Sequence, residues 1–239
     1  MMREGAYLLY ALLFFLPWAA VWRLRPDLRV ELLVSSLATA PLGLLFERWY
    51  HLDYWNPSVL SPWSVGVEDL LFGFGVGGLG AVAYEALSGR HRVPRHAWRN
   101  PLFFAAVFLI GLAAHAVLVP RGVNSIYVSM AVFAAGTLVM VIRRNDLLPV
   151  AIVSGAALAA LMVMNYQIVL LFHSTLFEDF WKLDNLSGRF ILRVPIEEPL
   201  WGFGWGAFIG CAWKYGFGEV CVPRAAAGQA AREVNPPPA

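Results

Sequence analysis

Apolar positions gather in seven runs along the chain, at about 5–22, 31–47, 65–87, 101–119, 124–142, 147–173 and 194–216. Each approaches the roughly 20 residues an α-helix needs to cross a bilayer. Charged residues sit mostly in the short stretches between the runs. The pattern predicts an all-α polytopic membrane protein with about seven transmembrane helices. The first run has no clear small-residue cleavage site after it, and Arg3 is offset by Glu4, so it reads as an anchor rather than a secretory leader.

Two of the runs open alike. Val65-Gly66-Val67-Glu68-Asp69-Leu70-Leu71-Phe72-Gly73-Phe74-Gly75 aligns without a gap on Val194-Pro195-Ile196-Glu197-Glu198-Pro199-Leu200-Trp201-Gly202-Phe203-Gly204. Upstream, Phe46-Glu47 matches Phe177-Glu178, and Leu52-Asp53 matches Leu183-Asp184. A unit that recurs in this way predicts an internal duplication. The expected organisation is a three-helix repeat at 1–95, a spacer helix at 96–122 and a second three-helix repeat at 123–218. A disordered cytoplasmic tail follows at 219–239. One spacer helix restores direction, so both repeats run the same way through the membrane, about an axis along the membrane normal. Arginine and lysine divide 12 to 6 between the two sides. That bias puts the N-terminus outside and the C-terminus in the cytoplasm.

Composition sharpens the class. The chain is 59% hydrophobic and 14% charged, where a soluble domain carries about 25% charged residues. Its expected surroundings are a lipid bilayer. The net charge of +2 resides in short loops and gives no reason to expect nucleic acid. Cys211 and Cys221 have no metal-ligand spacing, and no metal or cofactor is identifiable from sequence.

The acids are the chemically informative residues. Acids are costly within a membrane, so acid doublets at helix starts mark a functional site. Glu197, Glu198, Glu68 and Asp69 are the candidate catalytic groups. Glu47, Asp53, Glu178 and Asp184 are expected around the substrate, with Phe74, Trp201, Phe203 and Trp205 lining its pocket. The glycines at 73, 75, 77, 78 and 80 lie in an apolar helix with no preceding strand, so close helix packing explains them better than dinucleotide binding. His115 and His173 read as helix–helix hydrogen-bonding groups, and His51 as a neighbour of the acids. Lys214, in the last turn of the last run, reads as a snorkelling side chain.

At the doublets the sequence resembles the membrane-integral lycopene cyclase family, whose mark is a Pro-x-Glu-Glu/Asp motif opening a membrane helix once per repeat. Pro195-Ile196-Glu197-Glu198 fits it fully, Gly66-Val67-Glu68-Asp69 fits without the proline, and Asp53-Tyr54-Trp55-Asn56-Pro57 looks like the loop ahead of the motif. The resemblance implies a carotenoid end-group cyclase acting on a hydrophobic polyene by acid-initiated, non-redox carbocation chemistry. Glu197 or Glu198 would be the acid, with the other group of the doublet as its partner. A homo-oligomer, or association with carotenoid-pathway enzymes, is the partner expectation that comes with it. A small proton-coupled transporter and a non-catalytic relative of the cyclases are the competing readings. Apolar mid-helix positions, with Ser154, Asn165 and Gln167 as exceptions, favour a greasy substrate.

Overall fold

Each apolar run becomes helix because a backbone surrounded by lipid must satisfy its own hydrogen bonds. The computed structural model describes residues 5–60, 66–94, 100, 102–223 and 225. Its helices are α1 (Ala6–Leu13), α2 (Phe15–Leu24), α3 (Arg29–Asp53), α4 (Val67–Ser88), α5 (Leu102–Leu118), α6 (Ser125–Arg143), α7 (Leu148–Leu170), α8 (Leu176–Phe180) and α9 (Glu197–Phe217). The first apolar run is broken into α1 and α2 at Phe14. Pro17 lacks the N–H that would bond the Leu13 carbonyl, which explains the break.

Among the described residues, six stretches are long and apolar enough to cross a membrane: Ala6–Leu24, Pro26–Asp53, Val67–Ser88, Leu102–Arg121, Ser125–Arg143 and Asn145–Leu170. The seventh expected span, α9, is 21 residues long but carries Glu197, Glu198 and Lys214. All three are buried. The helix packs among α4, α6 and α7, so its polar groups face protein rather than lipid. The fold is therefore all-α and polytopic.

The most extensive helix pairs are α3 with α4 and α7 with α9. The α4 and α9 helices meet where both are glycine, with Gly206 Cα 3.6 Å from the place a Gly80 Cβ would take. Close approach through small residues is the role expected of these glycines.

A second duplicated signature, not used in reading the sequence, emerges at the turns into α3 and α7. Arg25-Pro26-Asp27-Leu28 and Arg144-Asn145-Asp146-Leu147 each form a 3-10 turn. Arg25 clamps Asp27, at 3.0 and 2.8 Å, and donates to the carbonyls of Glu85 and Arg90. Arg144 clamps Asp146, at 3.2 and 2.6 Å, and donates to the carbonyls of Lys214 and Glu219. Each carbonyl in the second set lies 129 residues after its counterpart, the same offset that relates the doublets. Across α3 and α7 the offset is 119. Glu47 therefore corresponds to Tyr166 by helix register, and the alignment of Glu47 on Glu178 is corrected.

One expected boundary also moves. Glu219–Val222, read as the start of a tail, forms strand β4, antiparallel to β1 (His91–Pro94). The remainder of that tail, apart from Pro223 and Ala225, lies outside the described residues. A second short pair, β2 (Phe190–Ile191) with β3 (Val194–Pro195), leads into α9.

Candidate active site

The site lies where the ends of α3, α7 and α8 meet the start of α9. Tyr54 and Trp55 follow α3 directly, and an isolated bridge joins Trp55 to Trp181, just after α8. This bridge draws the loops of the two halves together over the helix ends.

The four doublet acids are all buried, yet they do different things. Glu68 accepts the backbone N–H of Leu60 at 2.8 Å. Glu197 accepts the backbone N–H of Ser187 at 2.8 Å and the Tyr127 hydroxyl at 2.9 Å. Both hold the loop that precedes their own helix. Asp69, at the third position of α4, accepts the N–H of Gly66 at 2.7 Å and so caps its own helix. Its other oxygen takes the Tyr7 hydroxyl at 2.8 Å.

Glu198 is built differently. Its carboxyl accepts hydrogen bonds from the Tyr54 hydroxyl, the Trp181 indole N–H at 2.7 Å and the Tyr166 hydroxyl at 2.6 Å. Facing it is Glu47 of α3. Its two oxygens lie 3.0 and 3.2 Å from the Trp55 indole nitrogen, and one of them is 2.9 Å from His51 Nε2. Glu47 and Glu198 line one cavity, with Tyr50, Tyr54, Trp55, Phe72, Tyr166 and Trp201 among its walls. Among the doublet acids, Glu198 is the one that lines it.

Several expected site residues lie elsewhere. Glu178 and Asp184 are exposed. The α7 helix ends at Leu170, so Glu178 falls on the separate short helix α8 instead of continuing a long helix as Glu47 does. Asp53 ties the end of α3 to α6 through the Ser125 N–H at 2.9 Å. Phe74 turns away from the cavity to stack on Phe15 (5.5 Å between centroids) and Trp18 (5.4 Å). Phe203 is 40% exposed on the outside of α9. Trp201 and Trp205 do line the apolar space beside the acids.

Sequence reasoning passed over Tyr10, Tyr54 and Tyr166 as site groups. Tyr10 stacks on Tyr166 at 4.1 Å and 12°. The helix offset of 119 would have singled out Tyr166 as the partner of Glu47. His115 hydrogen-bonds between helices as expected, with Nε2 3.0 Å from Ser129 Oγ. Ser129 in turn bonds the Tyr50 hydroxyl at 2.7 Å, and Trp201 donates to that hydroxyl at 3.1 Å.

Lys214 is the clearest correction. It does not snorkel but is fully buried at the other end of α9. Its Nζ lies 3.0 Å from Glu31 and 2.7 Å from Glu85, and it donates to the Ala81 carbonyl at 2.8 Å. Arg92 completes the cluster, 3.0 Å from Glu31 and 2.7 Å from Glu219. Glu85 and Lys214 occupy duplicated positions 129 residues apart. Two like charges meeting there would repel, whereas an acid and a base join the halves.

Comparison with known proteins bears on the second half. The family model described as Lycopene cyclase matches residues 124–215, which span α6 to nearly the end of α9 and include Glu197 and Glu198. No curated protein and no solved structure matches the chain.

Proposed function

We propose that this chain, an integral membrane protein whose residues 124–215 form a lycopene cyclase-family domain, cyclises the end group of an acyclic carotenoid. The observation that carries this reading is the pairing of Glu47 and Glu198 inside one aromatic-walled cavity that opens into a greasy groove.

The reaction moves a proton on and a proton off, with no change of oxidation state. Glu47 supplies the first. Its neighbour His51, half-buried at the end of α3, provides a route for recharging from the membrane surface. The carboxyl proton adds to the terminal carbon–carbon double bond and leaves a tertiary cation. The next suitably placed double bond attacks that cation, a six-membered ring closes, and the positive charge passes to a ring carbon. Glu198 then takes a proton from the carbon beside the charge, and the ring double bond forms. Atoms and electrons balance, because the product is an isomer of the substrate.

The assignment of roles follows from hydrogen-bond bookkeeping. An ionised carboxyl is an acceptor only, with room for several donors. Glu198 receives two hydroxyls and an indole N–H, the surroundings of an acceptor. Glu47 receives one indole N–H and sits beside the His51 imidazole. The faces of Tyr166 and Trp201 supply negative quadrupole to a passing cation. Excluding water matters equally, since water would quench the cation as an alcohol.

The test is expression in cells that accumulate lycopene, followed by pigment chromatography. General acid–base groups contribute about 100- to 10,000-fold to rate. Glu198→Gln and Glu47→Gln should each lower cyclic product by at least about 100-fold, on that scale, with protein still in the membrane. Cyclic carotene at the parent's level with either variant would sink the assignment.

A further inference from the structure

The space beside the acids is much longer than the end group it would have to hold. The acid cavity shares Glu47, Tyr50, Phe72 and Trp201 with a larger groove of about 750 Å³. That groove shares Thr39 and Phe104 with a third space, which continues to the opposite end of the bundle. The three spaces form one track.

Two helical stripes line it throughout. On α9 the lining positions are 201, 205, 208, 209, 212, 213, 216 and 217. On α3 they are 34, 35, 38, 39, 42, 43, 46, 47 and 50. Steps of three and four define one face of a helix. Each stripe runs over 17 residues, 16 steps from end to end, which at the rise of an α-helix is about 24 Å. Most of a hydrocarbon core of about 30 Å is thus spanned. Helix α5 supplies a third wall through Phe104, Val107 and Gly111. At the far end Val34 is 46% and Phe217 42% exposed, so the track opens toward lipid there. In this far part the two helices present small residues to it, Ala38 on α3 and Ala212 on α9.

We propose that this α3–α5–α9 track holds the unreacted remainder of a linear polyene while its leading end sits between Glu47 and Glu198. Ala38 and Ala212 are the residues that admit the distal half. The inference rests on the cyclase reading for the chemistry at the leading end. Occupancy of the track is a separate property, carried by its continuity with the acid cavity, its length and its apolar lining.

The duplication supplies an internal control. A groove between α4 and α7 is floored by Ala83 and Ala157, and Ala83 is the duplicated counterpart of Ala212. That groove shares no lining residue with the acid cavity.

The protein is to be purified in detergent from lycopene-accumulating cells, and bound pigment measured per mole of protein. Cyclisation is assayed in parallel with lycopene and with an acyclic analogue that has the same reacting end and a tail shortened at the far end. Ala212→Phe should lower bound lycopene and lycopene turnover at least tenfold while leaving the shortened substrate within twofold of the parent. Ala83→Phe should leave all three readings unchanged. Equal loss with both substrates in Ala212→Phe overturns the track, because the damage then lies at the acids or in the fold. Equal sensitivity to Ala83→Phe, or bound phospholipid in place of polyene in the parent, also overturns it. If the parent binds lycopene in an Ala212-sensitive way but makes no ring, the track stands and the cyclase reading falls.

Discussion

The same two helices, α3 and α9, bury charged side chains at both ends, and the two ends have been resolved in opposite ways. At one end, α3 carries Glu31 and α9 carries Lys214, and the acids Glu31, Glu85 and Glu219 each have Lys214 or Arg92 beside them. At the other end, α3 carries Glu47 and α9 carries Glu198. There the acids meet phenols and indoles, and the nitrogen beside Glu47 belongs to a histidine rather than to a lysine or arginine. A buried acid paired with a lysine or arginine ties helices together. A buried acid matched by neutral donors remains able to take or give a proton. The difference separates scaffold from chemistry more sharply than the presence of acids alone.

The largest effect that would break this contrast is expected at the scaffold end. Replacing one member of a buried ion pair leaves its partner uncompensated and costs about 3–5 kcal/mol. Lys214→Met, which leaves Glu85 without its cation and Glu31 with Arg92 alone, should therefore remove most folded protein from the membrane, as read by thermal unfolding and by the amount recovered in detergent. The Glu198→Gln protein should lose cyclisation and unfold at a temperature much closer to the parent's. Equal stability of the Lys214→Met protein and the parent would mean that the inner cluster is not what joins the halves.

A smaller effect probes how Glu198 is held. Tyr54→Phe removes one of its three donors. A hydrogen bond to a charged group is worth about 1.5–3 kcal/mol. On that scale turnover should fall by roughly 10- to 100-fold, since about 1.4 kcal/mol is tenfold. The change should appear in kcat, because Tyr54 acts on the carboxyl and not on the length of the chain in the track. A change confined to KM would assign Tyr54 to substrate binding instead.

Much of the fold was legible because lipid leaves few choices. Apolar runs of this length must be helices, and the glycine spacing pointed to the close crossing at Gly80 and Gly206. The doublets showed where the helices begin. What the doublets did not show was direction. Consecutive residues on a helix point about 100° apart, and here Glu198 faces the cavity while Glu197 turns to Ser187 and Tyr127. The misalignment of Glu47 on Glu178 has a physical cause too. The α3 helix runs unbroken to Asp53, whereas α7 stops at Leu170 and restarts as α8, and an ungapped match of Phe-Glu hides that break. The turns at Arg25 and Arg144 held the true register. Lys214 was misread because a lysine near a helix end looks like a snorkelling side chain until the counter-acids 183 and 129 residues away are brought beside it.

The doublet itself allows the finest dissection. Asp69 and Glu198 occupy equivalent positions, yet Asp69 is spent on capping its own helix while Glu198, one carbon longer, reaches Tyr54, Tyr166 and Trp181. Glu68 and Glu197 remained alike, each holding a loop N–H. Divergence at the second position and retention at the first fit a duplicated scaffold in which, among the four doublet acids, Glu198 lines the acid cavity. Glu197→Gln keeps an amide oxygen where Glu197 Oε1 accepts from Ser187 and Tyr127, so the loop contact survives at a net cost of about 1 kcal/mol, the scale of one ordinary hydrogen bond. Cyclisation should then fall no more than about fivefold, against at least about 100-fold for Glu198→Gln on the acid–base scale. Equal losses in the two variants would return both acids to a shared catalytic role and place the second half's chemistry on the motif as a whole rather than on the one side chain that enters the cavity.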